Sequence, residues 1–338
     1  MAGAFSSLSD FAALLGEMPG PDPATMSDAQ ARDAQLTKPP GALGRLEGLA
    51  VWYCGWRGEA RARVTAPQVI VFAGNHGVVA QGVSAFLAEV TAQMVANFRA
   101  GGAAVNQLAA QVGARMDVHA LDLDRPTGDI SLGPAMSKDE MLLALSTGWD
   151  AVDPASDLLV VGEMGIGNTT SAAAIALALH GGEAAAWTGR GTGLADAALV
   201  HKAQIVAQAV AINAASGAGG LEVLRRLGGR ELVAMAGAIA RARSLRIPVV
   251  LDGFICTAAA ACLEAECAGA LGHTVAGHVS AEPGHARLLQ ILDKVPLLSL
   301  DLRLGEGSGG VLAMSVVQAA LACHSGMATF AEAGVTGA

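Results

Sequence analysis

The sequence is poor in aromatic and charged residues. Only 4% of its 338 residues are Phe, Trp or Tyr and 15% are charged, whereas 52% are hydrophobic. The net charge of -9 and the lack of a basic cluster argue against nucleic acid as a partner, because a phosphate backbone needs clustered Lys and Arg. We therefore expect a globular protein with a large core, and any phosphate that it binds must be small and held locally.

Cysteine is also scarce, and no CxxC pair occurs. The five cysteines are an odd number, and three of them (Cys256, Cys262 and Cys267) fall in one Ala-rich stretch. Reduced packing thiols in a cytoplasmic protein are the natural interpretation. The first residues, MAGAFSSLSDFAALLGEMPG, have no basic region, so we expect no signal peptide.

Long hydrophobic runs are few, and no linker divides the chain. The uncharged runs 164–182 and 310–330 reach the length of a membrane span, but polar residues such as Gln318 and His324 and the many Ala and Gly favour packed helices without a membrane span. We predict one α/β core over 61–311 and a small helical subdomain formed by 1–60 with 312–338.

Short β-branched runs alternate with helical patterns. The runs are PQVIVFAGNHG, DLLVVGEMGIGN, IPVVLDGF and VPLLSLDLRLGEG, with RMDVHALDLD as a weaker fifth. This alternation predicts a three-layer α/β/α sandwich with a mostly parallel, doubly wound (Rossmann-like) sheet. The glycine turns after the strands should then meet at one crevice.

The turn GEMGIGNTT carries the first candidate site. Glu163 ends a strand, Gly165 and Gly167 let the backbone approach a ligand, and Asn168 stands where a helix should begin. No Lys follows as in a Walker A loop, and the dinucleotide fingerprint is incomplete. The residues fit a phosphate site and a simple helix cap equally well.

Other residues near strand ends or in turns have two interpretations each. Gly189 and Gly191 in TGRGTGL form either a flexible loop or a phosphate turn, and Lys202 is either solvated or a phosphate partner. His76, directly after a strand, is either a ligand contact or a histidine bonded within its own turn. Asp252 either meets a ribose or caps the next helix.

The segment GHTVAGHVSAEPGHA is rich in histidine but has no HExxH spacing. We therefore expect no metal here, and instead place Ser280 and Glu282 in a loop that meets a substrate.

Glu306 lies in the glycine-dense turn LGEGSGG, where a fixed negative charge would repel an anion. Together with Glu163 it would form a pocket for both a phosphate and a developing cation. Glycosyl transfer needs that combination, because its transition state resembles an oxocarbenium ion. A buried glutamate with a raised pKa would also remove the proton of a weakly acidic ring N–H.

These motifs together resemble the nicotinate-nucleotide dimethylbenzimidazole phosphoribosyltransferase family, of the lower-ligand branch of cobalamin biosynthesis. The similar segments span roughly residues 37–330. They occur in the order TKPPGALGRLE, FAGNHGVVAQGVSAF, EVTAQMV, GEMGIGNTT, GRGTG, DGFICTAAA, SAEPGH and RLGEGSGG.

The resemblance implies transfer of phosphoribose from nicotinate mononucleotide to dimethylbenzimidazole, giving α-ribazole phosphate and nicotinate, with no cofactor and in a homodimer. Glu306 matches the catalytic base and Glu163 a second carboxylate at the reaction centre. The implied substrate contacts also include Gly165, Gly191, Lys202, Ser280, Leu304 and Gly305, and an acceptor pocket around Phe86 and Gln93.

Two positions depart from the family pattern. Asn75 stands where many relatives have Asp, and Phe86 occupies a position that is often Tyr or Ser, which puts the role of Asn75 and the selectivity for the base in question. Two rival functions stay open: a phosphoribosyltransferase or nucleosidase for another nucleotide, and a catalytically silent nucleotide sensor. Glu306 speaks against the sensor, because a buried anion among phosphate-binding amides weakens binding unless it serves chemistry.

Overall fold

The computed structural model describes residues 4–214 and 217–336 and contains a five-stranded parallel sheet. The strands follow the order β2-β1-β3-β4-β5. They are β1 Pro67–Ala73, β2 Arg115–Ala120, β3 Leu158–Met164, β4 Val249–Leu251 and β5 Thr274–Ala276. The predicted parallel α/β architecture is confirmed, including the weaker run that becomes β2.

Helices flank the sheet on both faces. They are α1 Leu8–Glu17, α2 Pro23–Asp33, α3 Arg45–Arg57, α4 Glu89–Arg99, α5 Ala104–Gln111, α6 Lys138–Ala151, α7 Asn168–His180, α8 Ala184–Trp187, α9 Asp196–Asn213, α10 Gly220–Leu227, α11 Arg230–Ser244, α12 Phe254–Glu266, α13 Pro283–Ile291, α14 Ser308–Gly326 and α15 Phe330–Ala333. A 3-10 turn, Gly77–Gln81, follows β1.

The central strands read as continuous apolar runs because both of their faces are covered. Along β1, Ile70 and Phe72 pack into a cluster with residues of α6, α7, α11 and α12. The alternate residues Val69 and Val71 pack into a second cluster with α3, α5 and α14. This alternation is the two-residue period of a strand, and it places one helical layer on each face.

The two ends of the chain pack on this sandwich. Phe11 of α1 joins the first cluster beside Trp149, and α3 and α14 join the second. The division into 61–311 and the two chain ends stays a prediction. Among the described residues, α14 alone is long and apolar enough to cross a membrane by length and composition, and residues such as Met314 and Val317 bury it in the second cluster.

The prediction for VPLLSLDLRLGEG was wrong in part. Only Leu298–Ser299 forms a strand (β7), which pairs with β6, His278–Val279, in a separate two-stranded sheet. The polar stretch after it leaves the strand conformation, and Asp301 has a positive φ of 56°. Glu306 therefore sits in the turn before α14 and not at the end of a strand of the main sheet.

Candidate active site

A cavity of about 410 Å³ opens beside the carboxyl ends of β3 and β4. The strand order reverses between β1 and β3, and ligands of open α/β sheets bind where such a reversal leaves a crevice. Most of the residues singled out in the sequence line this one cavity. They are Phe86, Glu163, Gly165, Gly167, Asn168, Gly191, Asp252, Ser280, Leu304, Gly305 and Glu306.

Four of the predicted residues lie outside the lining. Lys202 and Gly189 lie behind Thr169, since the Lys202 ammonium donates to Thr169 Oγ1 at 2.7 Å and to the Gly189 carbonyl at 3.1 Å. His76 is buried and bonded to other side chains. Gln93 is exposed on α4, whose Val90 and Met94 line the cavity instead.

The backbone around Glu306 is held in an unusual conformation. Glu306 has a φ of 65°, a left-handed value that residues other than glycine rarely adopt, and Gly307 follows with a φ of 89°. The turn packs so closely on β3 that only a glycine fits at position 162, because a Cβ there would collide with the Glu306 carbonyl oxygen. From the other side, the Asp252 carboxylate accepts the backbone N–H of Gly307 at 3.2 Å.

Burial raises the pKa of Glu306 to about 7. The amide of Val105, near the start of α5, favours the charged form, and the nearby Asp252 disfavours it. Glu306 is only 5% exposed, and its Oε2 atom has no hydrogen-bond partner among the described residues. The group is therefore ready to exchange a proton near neutral pH.

Glu163 is the second buried carboxyl of the cavity. Burial raises its pKa well above the usual value, the charge of Asp252 adds to the effect, and a hydrogen bond from the Asn168 amide opposes it. The negative charge of Glu231 raises the pKa further. Burial and the neighbouring negative charges therefore favour the protonated form of Glu163 when no ligand is bound.

Two other buried acidic groups near the cavity lie beside a histidine. Glu231 lies 2.5 Å from Nε2 of His76, and Asp252 lies 3.3 Å from Nε2 of His278. Within the described residues, Glu163 and Glu306 have no ion-pair partner. The cavity thus carries unpaired acidic groups, an arrangement that suits a cationic ligand.

The part of the cavity lining next to Glu163 also suits an anion. Gly167, with a φ of 95°, directly precedes α7, and Asn168 and Thr169 of its first turn line the cavity, so the N-terminal amides of this helix lie at the cavity. Burial lowers the pKa of Lys202 to about 8, and the Glu282 charge partly offsets the effect. An anion that reached Thr169 would therefore meet both a helix N-terminus and this ammonium group.

Arg303 and Glu231 are two residues that the sequence analysis missed. The Arg303 guanidinium lines the cavity and lies 3.5 Å from the Gly191 carbonyl oxygen. Glu231 lies in the first turn of α11, where an acidic residue is a common helix-dipole partner, so no sequence signal marks it. In the described part of the chain, no group of three or more His, Cys, Asp or Glu side chains is placed to hold a metal ion.

Comparison with known proteins adds evidence independent of the geometry. A family model described as "Phosphoribosyltransferase" matches residues 18–335. Nicotinate-nucleotide–dimethylbenzimidazole phosphoribosyltransferase of Ruegeria pomeroyi is 69% identical over 99% of each chain, and that of Rhizobium rhizogenes is 55% identical over 97% of this chain and 96% of its own. The crystal structure of CobT from Thermus thermophilus superposes with a TM-score of 0.88 at 42% identity, covering 94% of this chain and all of that one.

Proposed function

The chain belongs to the nicotinate-nucleotide–dimethylbenzimidazole phosphoribosyltransferase family, and from this premise we propose that the cavity beside β3 and β4 is its active site. The enzyme is a pentosyltransferase. It transfers phosphoribose from nicotinate mononucleotide to dimethylbenzimidazole, giving α-ribazole phosphate and nicotinate in the synthesis of the cobalamin lower ligand.

Glu306 is the catalytic base of this proposal. A benzimidazole N–H is weakly acidic, and it must lose its proton as the nitrogen bonds to the anomeric carbon. A carboxylate with a pKa of about 7, unpartnered at Oε2, is matched to that transfer. This unpaired, strained glutamate is the observation that carries the assignment.

Glu163 stabilises the positive charge of the ribosyl centre. The donor nucleotide carries a cationic pyridinium ring, and the transition state has oxocarbenium character. A cation at this position lowers the pKa of Glu163 and favours its ionised form. Nicotinate leaves as a neutral ring, so the departure requires no general acid.

Different parts of the cavity lining bind the phosphoribosyl group and the acceptor ring in this proposal. The backbone amide of Gly165, the turn at Gly191, the Ser280 hydroxyl and, through Thr169, Lys202 hold the phosphoribosyl group. The acceptor ring lies against the apolar wall that contains Phe86, Val90 and Met94. Gln93 and His76 do not contact substrate in this arrangement.

The oligomeric state and the location are further parts of the proposal. We expect a homodimer, since large apolar side chains such as Leu132 and Leu143 are exposed at 71% and 70%. Light scattering on the purified protein measures the oligomeric state directly, and a monomer at micromolar concentration would contradict the proposed homodimer.

The proposed location is the cytoplasm, where the five cysteines would stay free thiols, as they are in the structure. The proposed chemistry needs no cofactor.

A product assay tests the proposed function. Purified enzyme is incubated with nicotinate mononucleotide and dimethylbenzimidazole, and nicotinate and α-ribazole phosphate are followed by chromatography. Wild type should form both products, and Glu306→Gln should bind the mononucleotide but form the products at only a small fraction of the wild-type rate. Glu264→Gln is the matched control, because Glu264 accepts backbone amides of Gly269 and Leu271 outside the cavity.

Two outcomes would contradict the proposal. Full turnover by Glu306→Gln would remove Glu306 from the role of base. Binding of the mononucleotide by wild type without product would favour the sensor or another acceptor base, and a panel of purines and phenols would separate these two.

A further inference from the structure

His76, Glu231 and Ser171 form a buried chain of hydrogen bonds behind the cavity. Nε2 of His76 lies 2.5 Å from Oε1 of Glu231, and Nδ1 lies 3.1 Å from the Ser171 hydroxyl. His76 is 2% exposed, and Glu231 and Ser171 are fully buried. The connectivity is that of a Ser-His-acid triad, but this serine lies outside the cavity lining and has no substrate to attack. The chain of bonds therefore needs another explanation.

Stability does not explain the pair. A buried carboxylate is costly to desolvate even beside a hydrogen-bonding partner, and apolar residues of similar size are often as stable or more so. One oxygen of this carboxylate, Oε2 of Glu231, also has no hydrogen-bond partner among the described residues, which adds to the cost.

Glu231 fills the space between the turns that follow β1 and β3. A Cβ on Gly165 would lie 2.8 Å from Oε1 of Glu231 and 3.3 Å from the Asn168 amide nitrogen. A Cβ on Gly74 would lie 2.5 Å from Oε2 of Glu231. The two turns also bond directly, since the Gly74 N–H donates to the Met164 carbonyl at 3.0 Å. The carboxylate is thus in contact with the backbone that lines the cavity.

His76 contacts the same segment from the other side. The Nδ1 atom of His76 bonds Ser171 in the first turn of α7. A Cβ on Gly167 would lie 3.4 Å from the Cβ of His76. The helix that Ser171 belongs to begins with Asn168, whose amide donates to Glu163. The charge of Glu231 also raises the pKa of Glu163, so the pair reaches Glu163 by contact and by charge.

We propose that His76 and Glu231 are positioning residues for the transfer: the pair holds residues 163–171 in place so that Glu163 faces the reacting ribosyl carbon. The inference rests on the proposed role of Glu163. Neither member of the pair lines the cavity, so both act through Glu163 and not on the substrate.

The test is a double-mutant cycle on turnover. Glu231→Gln keeps the size of the side chain and removes its charge, and we expect kcat to fall roughly tenfold to hundredfold while KM for either substrate changes less than about twofold. In a Glu163→Gln background, adding Glu231→Gln should cause little further loss, because residues that act through one another are not additive. An unchanged kcat in Glu231→Gln, or fully additive losses, would overturn the proposal.

The control is His324→Gln. His324 is also 2% exposed and bonds the Ala29 carbonyl at 2.9 Å, but it lies outside the cavity lining. It should change the melting temperature and leave kcat unchanged. If His324→Gln lowers kcat as much as Glu231→Gln does, any damage to the core would suffice to lower kcat. That result would refute the positioning role of His76 and Glu231.

Three further outcomes are separable. If Glu231→Gln does not fold, Ser171→Ala removes the bond to His76 Nδ1 together with a long contact to the Gly228 carbonyl at 3.5 Å, and a fall in kcat of roughly threefold or more supports the proposal while an unchanged kcat overturns it. If Glu163→Gln keeps full kcat, the proposed role of Glu163 fails. If Glu163→Gln is impaired and Glu231→Gln is not, only the positioning pair fails.

Discussion

Asp252 accepts the backbone N–H of Gly310 at 2.8 Å, and so binds the first turn of α14 to the end of β4. A second bond to the Gly307 N–H places the same carboxylate at both ends of a short segment. The unusual backbone of Glu306, directly before Gly307, is therefore held from outside the segment. The position of the proposed base depends on a residue 54 positions earlier in the chain (306 minus 252).

Replacing Asp252 by Asn should lower both stability and turnover. The side-chain amide of Asn accepts hydrogen bonds only at its oxygen, whereas the carboxylate of Asp252 accepts at both oxygens. One buried backbone N–H therefore loses its partner, and about 1–3 kcal/mol of the free energy of unfolding is lost. Urea denaturation and kcat measure the two effects. Glu264→Gln is the control, since the two carboxylate oxygens of Glu264 accept the backbone N–H of Gly269 and of Leu271 at 2.6 and 3.0 Å outside the cavity lining. It should lose stability and keep kcat, and a parallel loss of kcat would contradict a local role of Asp252.

Turnover should depend on pH with an acidic limb near pH 7. Glu306 acts as a base only when ionised, and its pKa is raised to about 7, so kcat/KM should fall below that pH and level off above it. The residual activity of Glu306→Gln should not show this limb. A limb that persists unchanged in Glu306→Gln would assign it to another group.

The same pKa predicts an effect on stability. Since the pKa rises from 4.5 in the unfolded chain to about 7 in the folded protein, Glu306 stays protonated to a higher pH in the folded protein. Its contribution to the free energy of unfolding is present below pH 4.5 and is lost as the pH rises through about 7. Glu306→Gln should therefore melt at a higher temperature than wild type at pH 8, with a smaller difference at pH 5. Thermal denaturation at both pH values tests this, and equal differences would refute it.

Lys202→Met should weaken the binding of nicotinate mononucleotide and stabilise the free protein. Lys202 acts on the phosphate through Thr169, so its loss should cost about 0.5–1.5 kcal/mol, or roughly twofold to tenfold in Kd. The pKa of Lys202 falls from 10.5 to about 8 on folding, so stability is lost as the pH falls through that value, and Met removes this penalty at pH 7. Calorimetry and thermal denaturation measure the two quantities.

Lys294→Met is the matched control for Lys202. Lys294 is half-buried, its pKa is also lowered by burial, and it donates to the Leu271 and Thr274 carbonyls at 2.8 Å outside the cavity lining. It should leave the Kd of the mononucleotide unchanged. Equal weakening by both variants would show that Lys202 has no specific role in binding.

Phe86→Ala should act on the acceptor alone. Phe86 lines the cavity but is 52% exposed, so its loss should raise KM for dimethylbenzimidazole by roughly fivefold, or about 1 kcal/mol, and leave KM for the mononucleotide unchanged. Leu87→Ala is the control, because Leu87 is 73% exposed and outside the lining. A change in the KM of the mononucleotide would contradict a role of Phe86 in binding the acceptor alone.

The strands were predictable where burial on both faces leaves an uninterrupted apolar run. β1 and β3 satisfy this condition, and they were identified together with the residues that follow them. β5 has only three residues in a histidine-rich segment, so it carries too little pattern to be recognised. The apolar run before Glu306 predicted a long strand, but most of its apolar residues lie outside any strand. Only tertiary contacts end the strand at Ser299.

The sequence by itself determined the parallel α/β architecture and the family, because apolar periodicity and ordered motifs are local properties of the chain. It also singled out Glu163 and Glu306. Only the tertiary structure decided that Gln93 faces away from the cavity, that His76 lies behind it, and that Glu231 joins His76. These relations connect residues as far apart as 76 and 231, and a buried charge acquires its pKa and its partners only when distant segments pack against it.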